Sequence, residues 1–438
     1  MTKMGFLCTS FMPLIKSYIN KLSKNTFVRV TSANGFITII RSLISAISNK
    51  VVAVIVGTSG IAMIGQLQNF IQISTLISSG GFNQGLTRYV AENRENENEI
   101  SEFVSTSLII SAILTVITSL FIFVFSDFLS IKIFTLHSYT SIFIVFAFTL
   151  YFYNLNYIIL AIVNGFQRYI LFFKINFATT IVGFILTVGL VLLFKEYGAL
   201  LSIVLAQSVV FFITYIFIRN EYWIKLSVLK HFSKTKCFLL FQYSSITFLA
   251  AIIWPIADMI IRTYVIKNIS IEEAGIWQAT RKINDYITTI AIGSFSVYLL
   301  PKLSSITDRN KLKKELIDIY KIIIPMSLAG FFLLYLFRDT LVMVLYSTKF
   351  LKVSDYLLLQ MLGSFFWMCK VPIMNYMLSK GLTKTYLLNE LLFALIYIVL
   401  CISLIPFYKV QGIQLSFAIY NLAYLLVNLF LIRKYLHN

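Results

Sequence analysis

Long apolar runs, broken by short charged or polar intervals, set the pattern of this 438-residue chain. A helix needs about 20 apolar residues to cross a bilayer core, and runs of that order predict twelve spans. Six fall at 33–56, 63–90, 103–126, 139–163, 171–194 and 198–218. Six more fall at 239–266, 275–300, 317–337, 355–379, 385–405 and 411–432. The second span is unusual, being rich in Ser, Gly, Gln and Asn between Gln66 and Gln84. Polar side chains in hydrocarbon need partners or a wet cavity, so this helix is expected to face the interior.

The expected fold class is an all-α polytopic membrane protein of twelve transmembrane helices in two six-helix bundles. Residues 1–24 read as a basic cytoplasmic extension, 25–218 as the first bundle, 219–238 as a cytoplasmic linker and 239–438 as the second bundle. Lysines at positions 16, 21 and 24 interrupt the opening apolar stretch and no small-residue cleavage site follows, which argues against a signal peptide. The halves share an echo. Gly65 opens the second span with Gln68 three positions on, and Gly275 opens the eighth with Gln278 three positions on. With the six-plus-six count, this suggests parallel repeats about an axis along the membrane normal.

Lys and Arg alternate between loops. The lead-in, the tail and the loops after even-numbered spans, counted with Arg88, Lys174 and Lys321 at the adjoining span ends, hold 24, and the loops after odd-numbered spans hold 7. The positive-inside rule then predicts both termini in the cytoplasm. The same rule absorbs the net charge of +19, which in a soluble chain would suggest nucleic acid; here no nucleic acid is expected.

Composition agrees with the spans: 58% of residues are hydrophobic and 13% charged, with mean hydropathy +0.84. Soluble domains carry about 25% charged residues. Cys8, Cys237, Cys369 and Cys401 lack paired spacing, and His137, His231 and His437 fall in loops or the tail, so neither a disulfide framework nor a metal site is indicated. The chain has no phosphate-binding GxxxxGK[ST] loop, no HExxH and no GxSxG. No periplasmic loop is large, the longest lying at 338–354. The sequence reads as a transporter rather than an enzyme, with no cofactor.

Apart from Arg88, Lys174, Asp318, Lys321 and Asp355 at span ends, nine charged residues remain inside the spans: Arg41, Lys50, Arg262, Arg281, Lys282 and Lys370, with Asp258, Asp285 and Glu390. A charge at the bilayer centre costs about 2.5–3.5 kcal/mol on insertion scales, so these groups should face a wet cavity or one another. Lys50 and Arg262 lie near predicted helix ends and can snorkel to the interface. Arg281 and Lys282 lie about 9–10 Å inside their helix, a long reach for snorkelling. Asp258 with Arg262, and Arg281 with Asp285, sit at i,i+4 and are candidate structural ion pairs. Six cations against three anions still leave a positive surplus, which suits an anionic ligand such as a phosphate. Trp254-Pro255 marks a candidate kink in the seventh span.

The stretch Gly275 to Ile306, GIWQATRKINDYITTIAIGSFSVYLLPKLSSI, closely resembles the Wzx flippases of the multidrug/oligosaccharidyl-lipid/polysaccharide superfamily. Gly80 to Glu92, GGFNQGLTRYVAE, is similar to the end of their second helix. The resemblance runs from about residue 25 to the C-terminus. It implies two six-helix bundles around a central cationic cleft, in a bacterial inner membrane. The implied substrate is an undecaprenyl-diphosphate-linked O-antigen repeat unit, with membrane lipid around it and a polysaccharide polymerase and chain-length regulator as associates. Arg41, Lys50 and Arg262 fall on basic positions of the family; Asp258, Arg281 and Lys282 depart from its pattern. The substrate-binding set expected is Arg41, Lys50, Arg262, Arg281, Lys282 and Lys370. A coupling proton or sodium ion is expected at Asp258, Asp285 or Glu390. Two other substrates stay open within the superfamily: the enterobacterial common antigen unit, and cationic drugs exported against a cation gradient.

Overall fold

The computed structural model describes residues 26–221, 232–306 and 308–437. The expected extension at 1–24 and half of the expected linker, residues 222–231, lie outside these. All regular structure among the described residues is helical. The first half contains α1 (Thr26–Ser78), α2 (Asn83–Glu92), α3 (Glu97–Val124), α4 (Ser126–Phe134), α5 (Thr140–Gly165) and α6 (Tyr169–Ile218). The second contains α7 (Lys234–Asn268), α8 (Ile271–Ser305), α9 (Arg309–Leu336), α10 (Arg338–Leu345), α11 (Val353–Ser379), α12 (Thr383–Tyr408) and α13 (Gln411–His437).

Nine helices among the described residues are long and apolar enough to cross a bilayer. Two of them, α1 and α6, are bent pairs, broken at Gly57 (φ 74°) and Lys195 (φ 51°). α8 is long enough but carries Arg281, Lys282 and Asp285 in its middle. Twelve spans result, as expected. One boundary differs. The span expected at 63–90 stops at Ser78, and the chain turns through Gly80 (φ 63°) and Gly81 (φ 68°) before α2 starts. Two successive left-handed residues cost little only for glycine, so the apolar run continues while the helix does not.

The two halves repeat one plan. In the first, the long helix α3 is followed directly by the short α4, a 3₁₀ turn at His137–Tyr139 and the long α5. In the second, α9 is followed by α10, a 3₁₀ turn at Thr348–Phe350 and α11. Arg309 follows Glu97 by 212 residues, and Arg338 follows Ser126 by the same interval. The sharp turns match as well: Lys195 (φ 51°, ψ −122°) joins the arms of α6, and Lys409 (φ 51°, ψ −135°) joins α12 to α13. Each lysine is followed three residues later by glycine, Gly198 or Gly412. A Cβ at either glycine would collide with the backbone of the preceding helix, at Leu190 or Leu404. Six spans per half return the chain to the same face, which makes the repeats parallel.

Helix starts that fall in polar intervals are capped by their own side chains, because buried or interfacial N–H groups need acceptors. Asn96 accepts from the Glu99 amide of α3, Ser270 from Glu273 of α8 and Asp308 from Lys311 of α9, at 3.2, 3.2 and 2.8 Å. The outward faces are apolar: Leu193 is 75% exposed and Phe407 81%. Water would not tolerate such a surface over whole helices, whereas lipid does. The bundles meet where α1 packs on α7 and α8, and where α2 and α3 pack on the start of α7.

Candidate functional site

The polar run of the second span turns inward, as its composition predicts. Gln68, Gln72 and Thr75 line a cavity of about 600 Å³ between the bundles, together with Ser45, Asn49 and Gln207. The opposite wall contributes Lys282. A second cavity of about 540 Å³ shares Ser45, Thr180, Gln207 and Lys282 with the first, so the two form one cleft. Arg41 of α1 lines this second part, with Lys282, Asp285 and Tyr286 of α8. The cleft narrows to a recess of about 20 Å³ bounded by Asn49, Gln278, Lys282 and Tyr346. One wall is therefore uncharged except for Arg41, and the facing wall carries Lys282 and Asp285. Neither cation, nor Asp285, forms an ion pair with a described residue.

A separate chamber of about 570 Å³ lies inside the second bundle. α7 turns Ala250, Trp254 and Asp258 towards it, one turn apart, while Ile253, Ile256 and Ile260 of the same helix face an apolar groove on the other side. Within the chamber wall, the Arg281 guanidinium pairs with the Asp258 carboxylate. The Trp254 indole N–H donates to Glu390 Oε2 at 2.8 Å. Lys370, 1% exposed, lies among the rings of Trp254, Tyr420 and Tyr424, its Nζ 5.7, 5.2 and 4.3 Å from their centroids. Such faces attract a cation and lower the cost of its burial. Asp285 lines both the chamber and the cleft, so the two cavities adjoin at that residue.

Towards the face that carries few basic residues, the bundles are closed. Arg262, 1% exposed, donates to Gln66 Oε1 of α1 at 3.3 Å and to Gln278 Oε1 of α8, and stacks 5.1 Å from the Trp277 ring. Gln66 Nε2 in turn donates to Thr263 at 3.0 Å. The helices cross so closely here that a Cβ at Gly275 would strike the Thr58 carbonyl. The Gly-x-x-Gln echo of the two halves is thus the place where they meet. Asn49 donates to the Tyr286 hydroxyl at 2.9 Å, and Lys50 Nζ to the Met343 carbonyl of α10 at 3.1 Å. Beyond the spans, Glu273 binds Lys352 and Tyr356; its hydrogen bond holds the Lys352 ammonium above the ordinary lysine value.

The six cations expected in one binding set therefore divide. Arg41 and Lys282 line the cleft, Arg281 and Lys370 the chamber, Arg262 the seam and Lys50 a contact with α10. The ion pairs expected at i,i+4 are replaced. Asp258 pairs with Arg281 of the neighbouring helix rather than with Arg262, and Arg281 does not pair with Asp285 among the described residues. Spacing within one helix cannot register which neighbour a side chain meets. α7 runs as one helix through Pro255, with Trp254 in the chamber wall. Tyr286, which joins the bundles, and the amide lining of the cleft carried no signal beyond polarity within an apolar run. Among the described residues no group of three or more His, Cys, Asp or Glu is placed to hold a metal ion.

Comparison with known proteins agrees with this geometry. A family model described as polysaccharide biosynthesis protein matches residues 27–307. The lipid III flippase of Escherichia coli (strain K12) is 24% identical over 371 residues, covering 83% of this chain and 88% of that protein. Among solved structures, an inward-facing multidrug resistance MATE family transporter of the MOP superfamily superposes with a TM-score of 0.78. It is 13% identical and covers 92% of this chain and 98% of its own. The lipid II flippase MurJ in an inward closed conformation gives 0.71 at 16% identity, covering 91% and 87%. The fold is the one these transporters share, and the chain is a multi-pass membrane protein.

Proposed function

Because the chain belongs to the polysaccharide biosynthesis protein family, we propose that it is a flippase for an undecaprenyl-diphosphate-linked oligosaccharide, an O-antigen repeat unit. It moves the unit from the cytoplasmic to the periplasmic leaflet of a bacterial inner membrane, with its basic face and both termini in the cytoplasm. It carries out no chemical reaction; its work is alternating access between two bundles. The observation that carries this reading is that Arg41 and Lys282, from different bundles, line one cleft against a single carboxylate, Asp285. Two cations against one carboxylate leave a positive surplus that suits a diphosphate, and a guanidinium binds its oxygens with a planar fork of donors. The prenyl tail stays in lipid while the head group crosses.

The driving force in this reading is a proton or sodium ion at Asp258, Asp285 or Glu390, drawn by a potential worth about 2.3 kcal/mol per charge per 100 mV. A polysaccharide polymerase and a chain-length regulator are its associates in this reading. A cationic drug would meet Arg41 and Lys282, so this lining disfavours drug export, and drug susceptibility should not change in a deletion strain.

The test is charge reversal. Arg41→Glu and Lys282→Glu, inserted at normal levels, should each abolish surface polysaccharide and leave lipid-linked units on the inner leaflet. Normal polysaccharide in both variants overturns the reading. The likeness to the lipid III flippase favours a second substrate, the enterobacterial common antigen unit. Rescue of a strain lacking that flippase, with no rescue of O-antigen strains, would establish it.

A further inference from the structure

The chain holds only four tryptophans, and three of them, Trp254, Trp277 and Trp367, converge on the chamber of the second bundle. They come from α7, α8 and α11, three different helices, so no sequence repeat brings them together. Trp254 and Trp367 are only partly buried, and both line the open volume. Buried tryptophan in a helical bundle ordinarily fills core space. Here about 570 Å³ remains beside the rings, within the range of about 300–1,000 Å³ typical of small-molecule pockets. Gln360, Asn284 and Thr288 line the same chamber, with the Glu390 carboxylate, whose Oε1 is buried and finds no partner among the described residues. Hydrocarbon would gain nothing from these polar groups, and a bare anion is disfavoured because the chamber's carboxylates, Asp258, Asp285 and Glu390, outnumber its cations, Arg281 and Lys370.

A sugar ring suits both features. Its axial C–H face packs on an aromatic ring, and its equatorial hydroxyls exchange hydrogen bonds with amides and carboxylates. Position fits too. Asp285 borders both cavities, so the chamber adjoins the part of the cleft lined by Arg41 and Lys282. A diphosphate held by those two cations would leave the sugar bonded to it beside the chamber. We propose that this chamber is the glycan subsite, which takes the sugars nearest the diphosphate by stacking on Trp254 and Trp367. This rests on the flippase reading above and adds to it a division of labour: cations in the cleft hold phosphate, and the aromatic chamber selects sugar.

The experiment measures binding of two probes to the full chain in lipid nanodiscs: bare undecaprenyl diphosphate, and the same lipid carrying N-acetylglucosamine. The unaltered protein should bind the sugar-bearing probe more tightly. Trp367→Ala should weaken that binding by about tenfold, the scale on which one side-chain group in a pocket discriminates, and leave the bare lipid unchanged. Trp367→Phe, which keeps a ring, should restore most of it and serves as the control for folding. Arg41→Ala should weaken both probes alike. Equal affinity of the unaltered protein for the two probes, or an equal loss on both in Trp367→Ala, overturns the glycan subsite. Failure of the unaltered protein to bind either lipid overturns the flippase reading itself.

Discussion

Asp258 and Arg281 show how much a single cross-helix contact decides. The carboxylate is 6% exposed and the guanidinium 32%, so the pair is shielded without being fully dry. Removing one partner of a buried pair typically costs about 3–5 kcal/mol, because the other charge is left uncompensated. The partial exposure of Arg281 reduces that figure through solvent screening. Asp258→Ala should therefore destabilise the protein by about 2–3 kcal/mol, and Asp258→Ala/Arg281→Ala should recover most of the loss in a thermal-unfolding assay. A coupling role for Asp258 predicts the reverse in transport, where the double variant would stay inactive although stable. Charges within the spans were legible from the sequence, because each stands out against an apolar run. Their partners were not, because i,i+4 spacing describes one helix, and Asp258, Arg262 and Arg281 all meet groups on another.

At the scale of elements, the two lysine turns carry the repeat. Lys195 and Lys409 hold nearly the same left-handed backbone, and Gly198 and Gly412 let each following helix pack against the one before. Valine at Gly412 would meet the Leu404 carbonyl group, and overpacking of this kind costs about 1–3 kcal/mol. Gly412→Val should lower the midpoint of thermal unfolding, while Gly330→Val, where a Cβ has open space, should leave it within error. The twelve spans could be read directly, since bilayer thickness fixes their length. The short helices α4 and α10 could not. Their eight or nine residues extend apolar stretches that also end the preceding spans, and hydropathy has no mark for the bend between them. Nor could the break at Gly80 and Gly81 be located from apolar content alone.

The whole molecule must pass between two arrangements of its bundles, and Arg262 stands where the seam has to part. Its guanidinium reaches Gln66 of the first bundle and Gln278 of the second, and the backbone at Gly275 lies against Thr58. Hydrogen bonds to a charged group contribute about 1.5–3 kcal/mol each. Loss of the Arg262 bond to Gln66, one of several that cross between the bundles, should thus shift the equilibrium about tenfold to a hundredfold towards the open seam. A cysteine introduced at Thr58, with the native cysteines replaced, reports the change through labelling by a membrane-impermeant maleimide. Arg262→Met should raise the labelling rate from the face that carries few basic residues. Arg262→Lys, which keeps the charge but not the fork of donors, should fall between. Leucine in place of Gln66 removes the acceptor from the other bundle, and with it the Gln66 bond to Thr263, so it should raise labelling at least as much as Arg262→Met. Were Arg262 instead a ligand for the diphosphate, Arg262→Met would weaken lipid binding with no effect on labelling. Gln66→Leu would then leave binding intact, so the pair of variants separates a seam residue from a substrate residue.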